Sequence, residues 1–172
     1  MICFETDRLQ VRHLTMAELD ALTALCSDPV AMKYMDDGGV LTREECEGWI
    51  NVCEGKYKNR GYGTSAVFER ESGDFIGICG VVRPPDNNFD EIIYAYAQPY
   101  WGKGYATEAG HKMLKYVFGI SELDEIYATI HPDNLPSQKM MPKLDMAFVE
   151  DRVEDDGEIT KVYMTKRDVY LP

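Results

Sequence analysis

Hydrophobic and polar positions change period several times along this chain, and the changes mark its elements. Residues 8–14, RLQVRHL, set Leu9 and Val11, with His13 in phase, against Arg8, Gln10 and Arg12, the period-two pattern of a half-buried strand. TMAE at 15–18 and TREE at 42–45 each have the form of a capping box, in which a threonine hydroxyl and a glutamate carboxylate satisfy free amides at a helix start. After the second box, Cys46, Trp49, Ile50, Cys53 and Tyr57 recur at helical spacing, so the chain opens strand, helix, helix. From 64 to 98 the pattern becomes strand-like: TSAVFER, FIGICGVV and EIIYAYA, separated by ESGD and RPPDNN, predict an antiparallel meander. Ala106, Ala109, Met113 and Val117 then mark a helix to about Gly119, and EIYATIH at 125–131 a buried strand. NLPSQKMMPKL predicts a helix that Pro142 kinks or shortens, and the end of the chain a hairpin about Asp155-Asp156-Gly157.

Composition adds limits to this outline. With 172 residues, 45% of them hydrophobic, and no repeat or linker, the expectation is one domain spanning residues 1–172. A formal charge of -12 argues against nucleic acid as a partner, because that binding neutralises phosphates with Lys and Arg, and makes a cationic partner the easier fit. Cys3, Cys26, Cys46, Cys53 and Cys79 are odd in number and form no C-x-x-C pair, which fits reduced structural thiols better than a disulfide framework or a zinc site, so no metal is expected. No stretch approaches 18 apolar residues and the N-terminus is acidic where a signal peptide is basic, so the expected place is the cytoplasm, away from membranes.

The chemistry begins at residues 98–108, QPYWGKGYATE, between a strand and a helix. Glycines at such a junction leave backbone amides free at the positive end of a helix dipole, which suits an anion, most often phosphate; the pattern alone equally suits an ordinary turn. Gly102-Lys103-Gly104-Tyr105 lacks the spacing and hydroxyl of a Walker loop, and it follows a meander rather than opening a parallel unit as a dinucleotide fingerprint does.

PYWGKGYATEA resembles the acetyl-CoA pyrophosphate loop of the GNAT superfamily of N-acetyltransferases, Q/R-x-x-G-x-G/A, with Trp101 first, Gly104 fourth and Ala106 sixth. It is most similar to the branch of ribosomal-protein alanine and serine N-acetyltransferases, in which Trp followed by G-K-G-Y-A-T-E-A is common. FETDRLQVRHLT resembles the opening strand of that branch, LTREECEGWI its second helix and HPDNLPSQKMMPKLDM its second cofactor motif. The resemblance implies an α/β (α+β) domain: a mixed, mostly antiparallel twisted sheet of about seven strands with helices on both faces. In it the strand at 91–98 splays from that at 125–131 to admit the pantetheine arm. Backbone at Tyr96, Ala97 and Gln98 would pair with that arm, amides of Trp101, Gly102, Lys103, Gly104, Tyr105, Ala106 and Thr107 would hold the pyrophosphate, and Asn134 and Ser137 would touch the cofactor from the other side. The co-substrate is then acetyl-CoA and the acceptor a primary amine. A protein N-terminus is the first choice and a polyamine or antibiotic the alternative; a non-catalytic acyl-CoA-binding module is the reading from another class. A monomer and a homodimer both fit.

Acetyl transfer to an amine needs a base, an oxyanion donor and help for the leaving thiolate, because a peptide α-amine has pKa about 8 and a lysine about 10.4. Glu91, which begins the splayed strand, matches an acidic position of the branch and is the candidate base, with a solvated strand-end carboxylate as its plain alternative. The oxyanion donor expected is a backbone amide near Tyr96 or Ala97. Glu108 in the first helical turn reads as dipole stabilisation, and His131 as either a proton relay or a structural imidazole. Where many superfamily members place a tyrosine acid, seven residues after the Asn, this chain has Met141, so Ser137 becomes the candidate acid. Asp145 stands where the resemblance has a glycine. Trp49, Tyr34 and Tyr94 could line an acceptor pocket or fill the core. Residues 28–41 and 84–90, which would shape that pocket, carry no motif.

Overall fold

Residues 1–35, 39–85, 88–154 and 156–171 are described by the computed structural model. Asp36, Asp37 and Gly38 of the first unmotifed loop, Asp86 and Asn87 of the second, and Asp155 of the predicted hairpin turn lie outside them. The described strands are β1 (Ile2–Glu5), β2 (Leu9–His13), β3 (Thr64–Glu69), β4 (Phe75–Val82), β5 (Glu91–Tyr96), β6 (Glu125–Ile130), β7 (Ala147–Val153) and β8 (Ile159–Lys166). The helices are α1 (Leu19–Cys26), α2 (Arg43–Arg60), α3 (Tyr105–Ile120), α4 (Leu135–Met140) and α5 (Arg167–Tyr170).

The predicted alternation does what its period requires. Leu9 and Val11 are fully buried, and along β2 each residue pairs antiparallel with β3. Both capping boxes form: Thr15 and Glu18 close a short 3-10 turn that leads into α1, and Thr42 and Glu45 start α2. Neighbouring strand residues then serve opposite layers. Val67 and Cys79 pack with Ala109, Met113, Val117 and Phe118 of α3, whereas Ala66, Ile78 and Ala95 pack with Leu22 and Leu25 of α1 and Ile50 of α2. Helices therefore cover both faces, as expected.

Two details depart from the outline. The sheet has eight strands rather than about seven, in the order β1-β2-β3-β4-β5-β6-β8-β7, because ICFE at residues 2–5 pairs with β2. Four residues with one buried apolar position, Phe4, are too short for a readable period. The C-terminal hairpin also enters the sheet by its second strand: β8 pairs with β6 and β7 forms the edge. Pro142 acts as predicted, ending α4 at Met140 and leaving a 3-10 turn over Met141–Leu144. That turn ends on Asp145 at φ 50, the left-handed conformation a glycine would hold more cheaply and aspartate tolerates.

All strand pairs are antiparallel except β5 with β6, and that parallel pair meets only at Glu91 and Tyr127. The Tyr127 N–H donates to Asp90 O at 2.9 Å, after which the strands part. The junction is clamped from the side. The Asp90 carboxylate, its side chain wholly buried, accepts from Arg60 Nη1 at 3.1 Å, Tyr62 Oη at 3.1 Å and Arg83 Nε at 3.0 Å, joining the end of α2 and the residue that follows β4 to the start of β5. Removing one partner of such a cluster leaves the others unpaired, so Asp90→Ala is expected to cost about 3 kcal/mol. Thermal or urea unfolding, with Arg83→Ala as the milder reference because Arg83 is partly exposed, checks this.

Candidate active site

Backbone geometry at the end of β5 follows from its hydrogen bonds. Ala97 donates its N–H to Ile76 O in β4 at 3.0 Å and accepts from Tyr100 N–H at 3.0 Å, and Gln98 O accepts from Trp101 N–H at 3.1 Å. Alternation along an extended strand then points the backbone groups of Tyr94 and Tyr96 away from β4, into the gap that opens beyond Asp90. The Ala97 amide and carbonyl and the Gln98 carbonyl are thus already engaged, whereas the Tyr96 amide faces away from β4. The Tyr96 carbonyl is engaged by the Trp101 indole, Nε1 to O at 2.6 Å, which folds the glycine loop back over the strand end.

The loop reaches α3 through two left-handed residues, Gly102 at φ 73 and Gly104 at φ 82. Gly104 is the N-cap of α3 and supplies no side chain, so the first-turn amides, those of Tyr105, Ala106 and Thr107, have no capping partner of their own. Arg8 fixes this loop from β2: its Nη1 donates to Lys103 O at 2.9 Å while its Nε donates to Glu108 Oε2 at 2.7 Å. Glu108 also accepts from Thr6 Oγ1 at 2.5 Å. Partial burial opposes its charge, but these bonds and the Arg8 guanidinium together hold its carboxyl below the usual range, so Glu108 anchors the helix start as its position suggested.

A cleft of about 650 Å³ opens between the end of β5 with its glycine loop, the connection after α1, and α4. Of the residues singled out in the sequence, Tyr96, Trp101, Gly102, Gly104, Tyr105, Ala106, Thr107, Asn134 and Ser137 line it, together with Tyr34 and Tyr94. Ala97, Gln98, Lys103, Glu91 and Trp49 do not. The Lys103 ammonium lies 5.1 Å over the Tyr100 ring, and Gln98 Nε2 bonds Asp28 Oδ2 at 2.7 Å. Trp49 packs against the cluster of α1 and α2. Lys33, Lys139 and Lys143 also line the cleft and were not anticipated; the only signal for the last two was their four-residue spacing around the kink at Pro142.

On the far wall, Asn134 caps α4, its Oδ1 accepting from Ser137 N–H at 3.3 Å. Met141, at the position of the missing tyrosine, is completely buried in the core around α3 and does not reach the cleft. Tyr94 also lines the cleft, and burial pushes its pKa up to about 12. Tyr34 Oη bonds Asp133 O at 3.3 Å, joining the connection after α1 to the turn before α4. His131 uses Nδ1 to accept the Asp133 amide at 3.0 Å, a structural role in that turn.

Glu91 sits where the strands meet. Only 8% exposed, it accepts from Thr129 Oγ1 at 2.6 Å, and burial pushes its carboxyl up, against the Thr129 bond and the charge of Arg152. Strand alternation places its side chain on the sheet face of Ala95, which α1 and α2 cover, and the Tyr94 side chain on the face of α3. Among the described residues no cluster of His, Cys, Asp or Glu could hold a metal ion, and no helix is long and apolar enough to cross a membrane. All five cysteines are free thiols.

A gap between two sheet strands, a glycine loop with uncapped amides at a helix start and a capped helix opposite suit a long anionic ligand. Residues 8–147 match the acetyltransferase (GNAT) domain, and the chain belongs to that family. It is similar to YnaD, an uncharacterized N-acetyltransferase of Bacillus subtilis (strain 168), at 32% identity over 82% of this chain and 80% of the relative. Its fold is that of ribosomal-protein-S5-alanine acetyltransferase from Vibrio fischeri, with TM-score 0.82, 16% identity and full coverage of both chains. Spermidine N-acetyltransferase from Vibrio cholerae, solved with CoA and spermine, has the same fold at TM-score 0.80 and 18% identity over 97% of this chain and 100% of that one. The protein is thus an acetyl-CoA-dependent N-acetyltransferase.

The left-handed turn at Gly104 gives a direct check on the loop. A side chain there costs about 1–2 kcal/mol in backbone strain alone. Gly104→Ala is therefore expected to weaken CoA binding about tenfold by calorimetry, whereas Gly119→Ala, with open space around its position, should leave it unchanged.

Proposed function

We propose that this enzyme acetylates the N-terminal α-amine of a protein or peptide by direct attack on acetyl-CoA. The observation that carries this reading is the placement of Glu91 and Ser137 about the gap between β5 and β6. Glu91 is buried where the strands meet, bonded to Thr129, Ser137 lines the cleft, and the thioester would lie between them. The amine nitrogen bonds to the acetyl carbon, the oxyanion takes the Tyr96 amide, Glu91 takes the ammonium proton directly or through water, and the sulfur leaves toward Ser137. The pyrophosphate would rest on amides of residues 102–107, with Lys139 and Lys143 available to its charge.

An α-amine suits this site better than a polyamine. A single raised carboxylate is matched to an acceptor of pKa about 8, while amines near 10.4 are over 99% protonated at neutral pH. The overall charge of -12 attracts a singly charged amine from a distance. Five free thiols suit the reducing cytoplasm.

Thiol release from acetyl-CoA, measured with short peptides of varied N-terminal residue and with spermidine, tests the reading. Peptide-dependent release is expected, and release with spermidine alone would move the acceptor to polyamines. CoA binding without any acceptor-dependent thiol would leave a cofactor-binding module. Glu91→Gln should lower kcat at least about a hundredfold, and the wild-type rate should fall as pH drops through the raised Glu91 pKa.

The same substitution has a second sign. A carboxyl raised by burial binds its proton more tightly folded than unfolded, so its contribution to stability is lost as pH rises through that pKa. Glu91→Gln is expected to melt higher than wild type at pH 8, with the difference vanishing near pH 4.

A further inference from the structure

β7 ends the sheet, and among the described residues no strand pairs with its outer side. An edge of this kind usually carries little apolar surface, because its free backbone groups would invite another strand. Here Phe148, Val149 and Val153 are all exposed, Val153 to 70%, and Ile159 lies exposed beside Val153 on β8. The backbone phase of the edge follows from the hairpin. The Glu154 N–H donates to Glu158 O at 2.9 Å, so by alternation Glu154 and Arg152 face β8 while Asp151 and Val153 turn their amides and carbonyls outward. Side chains add a second pattern. Glu150 and Arg152 both line a second cleft, of about 660 Å³, beside Phe89 and Tyr127, and so share one sheet face on either side of Asp151.

We propose that the chain forms a twofold dimer in which β7 pairs antiparallel with β7 of a second copy, the axis passing at Asp151 and the two eight-stranded sheets becoming one. Outward-facing groups must meet outward-facing groups, so within the regular part of the strand the axis falls at residue 150, 151 or 152. An axis at Glu150 sets that carboxylate against its own copy, and one at Arg152 does the same to the guanidinium while opposing Glu150 to Glu154. At Asp151 the charges agree. Glu150 of each copy then faces Arg152 of the other, which uses Nε on Glu154 at 2.9 Å and has Nη donors for the added carboxylate. The two Asp151 side chains that meet on the axis are each held by Lys161 of their own copy at 2.8 Å. Antiparallel pairing also brings Val153 and Ile159 of one copy alongside Val149 and Phe148 of the other, which covers the exposed apolar groups on both sides of the axis. The register shift between Phe148 and Glu150 ends the regular ladder, and a charge of -12 on each copy opposes association, so the dissociation constant is on the order of tens of micromolar.

Sedimentation equilibrium of the full chain from about 1 µM to about 1 mM tests this, whatever amine the enzyme accepts. A monomer–dimer equilibrium is expected. Glu150→Arg and Arg152→Glu each set two like-charge pairs about the axis and should weaken association more than about tenfold, whereas the double variant, with the charge of wild type, should dimerise as wild type does. That rescue is specific to an axis at Asp151, and it also shows the reversed side chains to be compatible with the fold. Amide exchange gives a second readout. With rising concentration, Asp151 and Val153 should slow while Arg152, already bonded to β8, stays constant. A chain that stays monomeric throughout that range leaves the edge to a strand of some other protein and overturns the proposal. So does a dimer indifferent to both reversals, a double variant that remains monomeric, or slowing confined to amides away from β7.

Discussion

Everything in this site depends on two strands that meet once and then part. A parallel pair that continued would leave no gap, because each backbone group of β5 would be satisfied by β6. The pairing stops because the two elements are held from different places. Asp90, buried and bound by Arg60, Tyr62 and Arg83, fixes the start of β5 to the α2 side, whereas β6 is held along its whole length by β8. The divergence leaves hydrogen-bonding groups at Tyr94 and Tyr96 without a strand, and an amide-bearing pantetheine arm is a chemically apt replacement. The loop that follows is fixed just as firmly, by Arg8 reaching from β2 and by the Trp101 indole on Tyr96 O.

The same divergence separates the chemistry. Side chains alternate across β5, so Glu91 and Tyr94 fall on opposite faces. An amine and a thioester can then approach each other through the sheet without competing for one wall. Burial acts on both sides in the same sense but with different results. It raises Glu91, at some cost in stability, and raises Tyr94, keeping its phenol neutral.

Local signals in the sequence carried most of this architecture. The period-two runs, two capping boxes, Pro142 and the glycines at 102 and 104 each act over a few residues, and each is found where its physics requires. What escaped was set by contacts distant along the chain. β1 has too few residues for a period, and the order of β7 and β8 follows from tertiary packing. Arg8 with Lys103 and Asp90 with Arg60 join residues that no spacing relates. That Ala97 faces β4 while Tyr96 faces the gap depends on the strand's register against β4, which is invisible before the pairing is known.

Amide hydrogen exchange with and without CoA tests the central claim most directly. The account predicts slowed exchange at Tyr94 and Tyr96 and at residues 102–107, with Ala97 protected equally in both states because β4 already holds its amide. Protection by CoA that appears elsewhere, or none in the gap between β5 and β6, would contradict it.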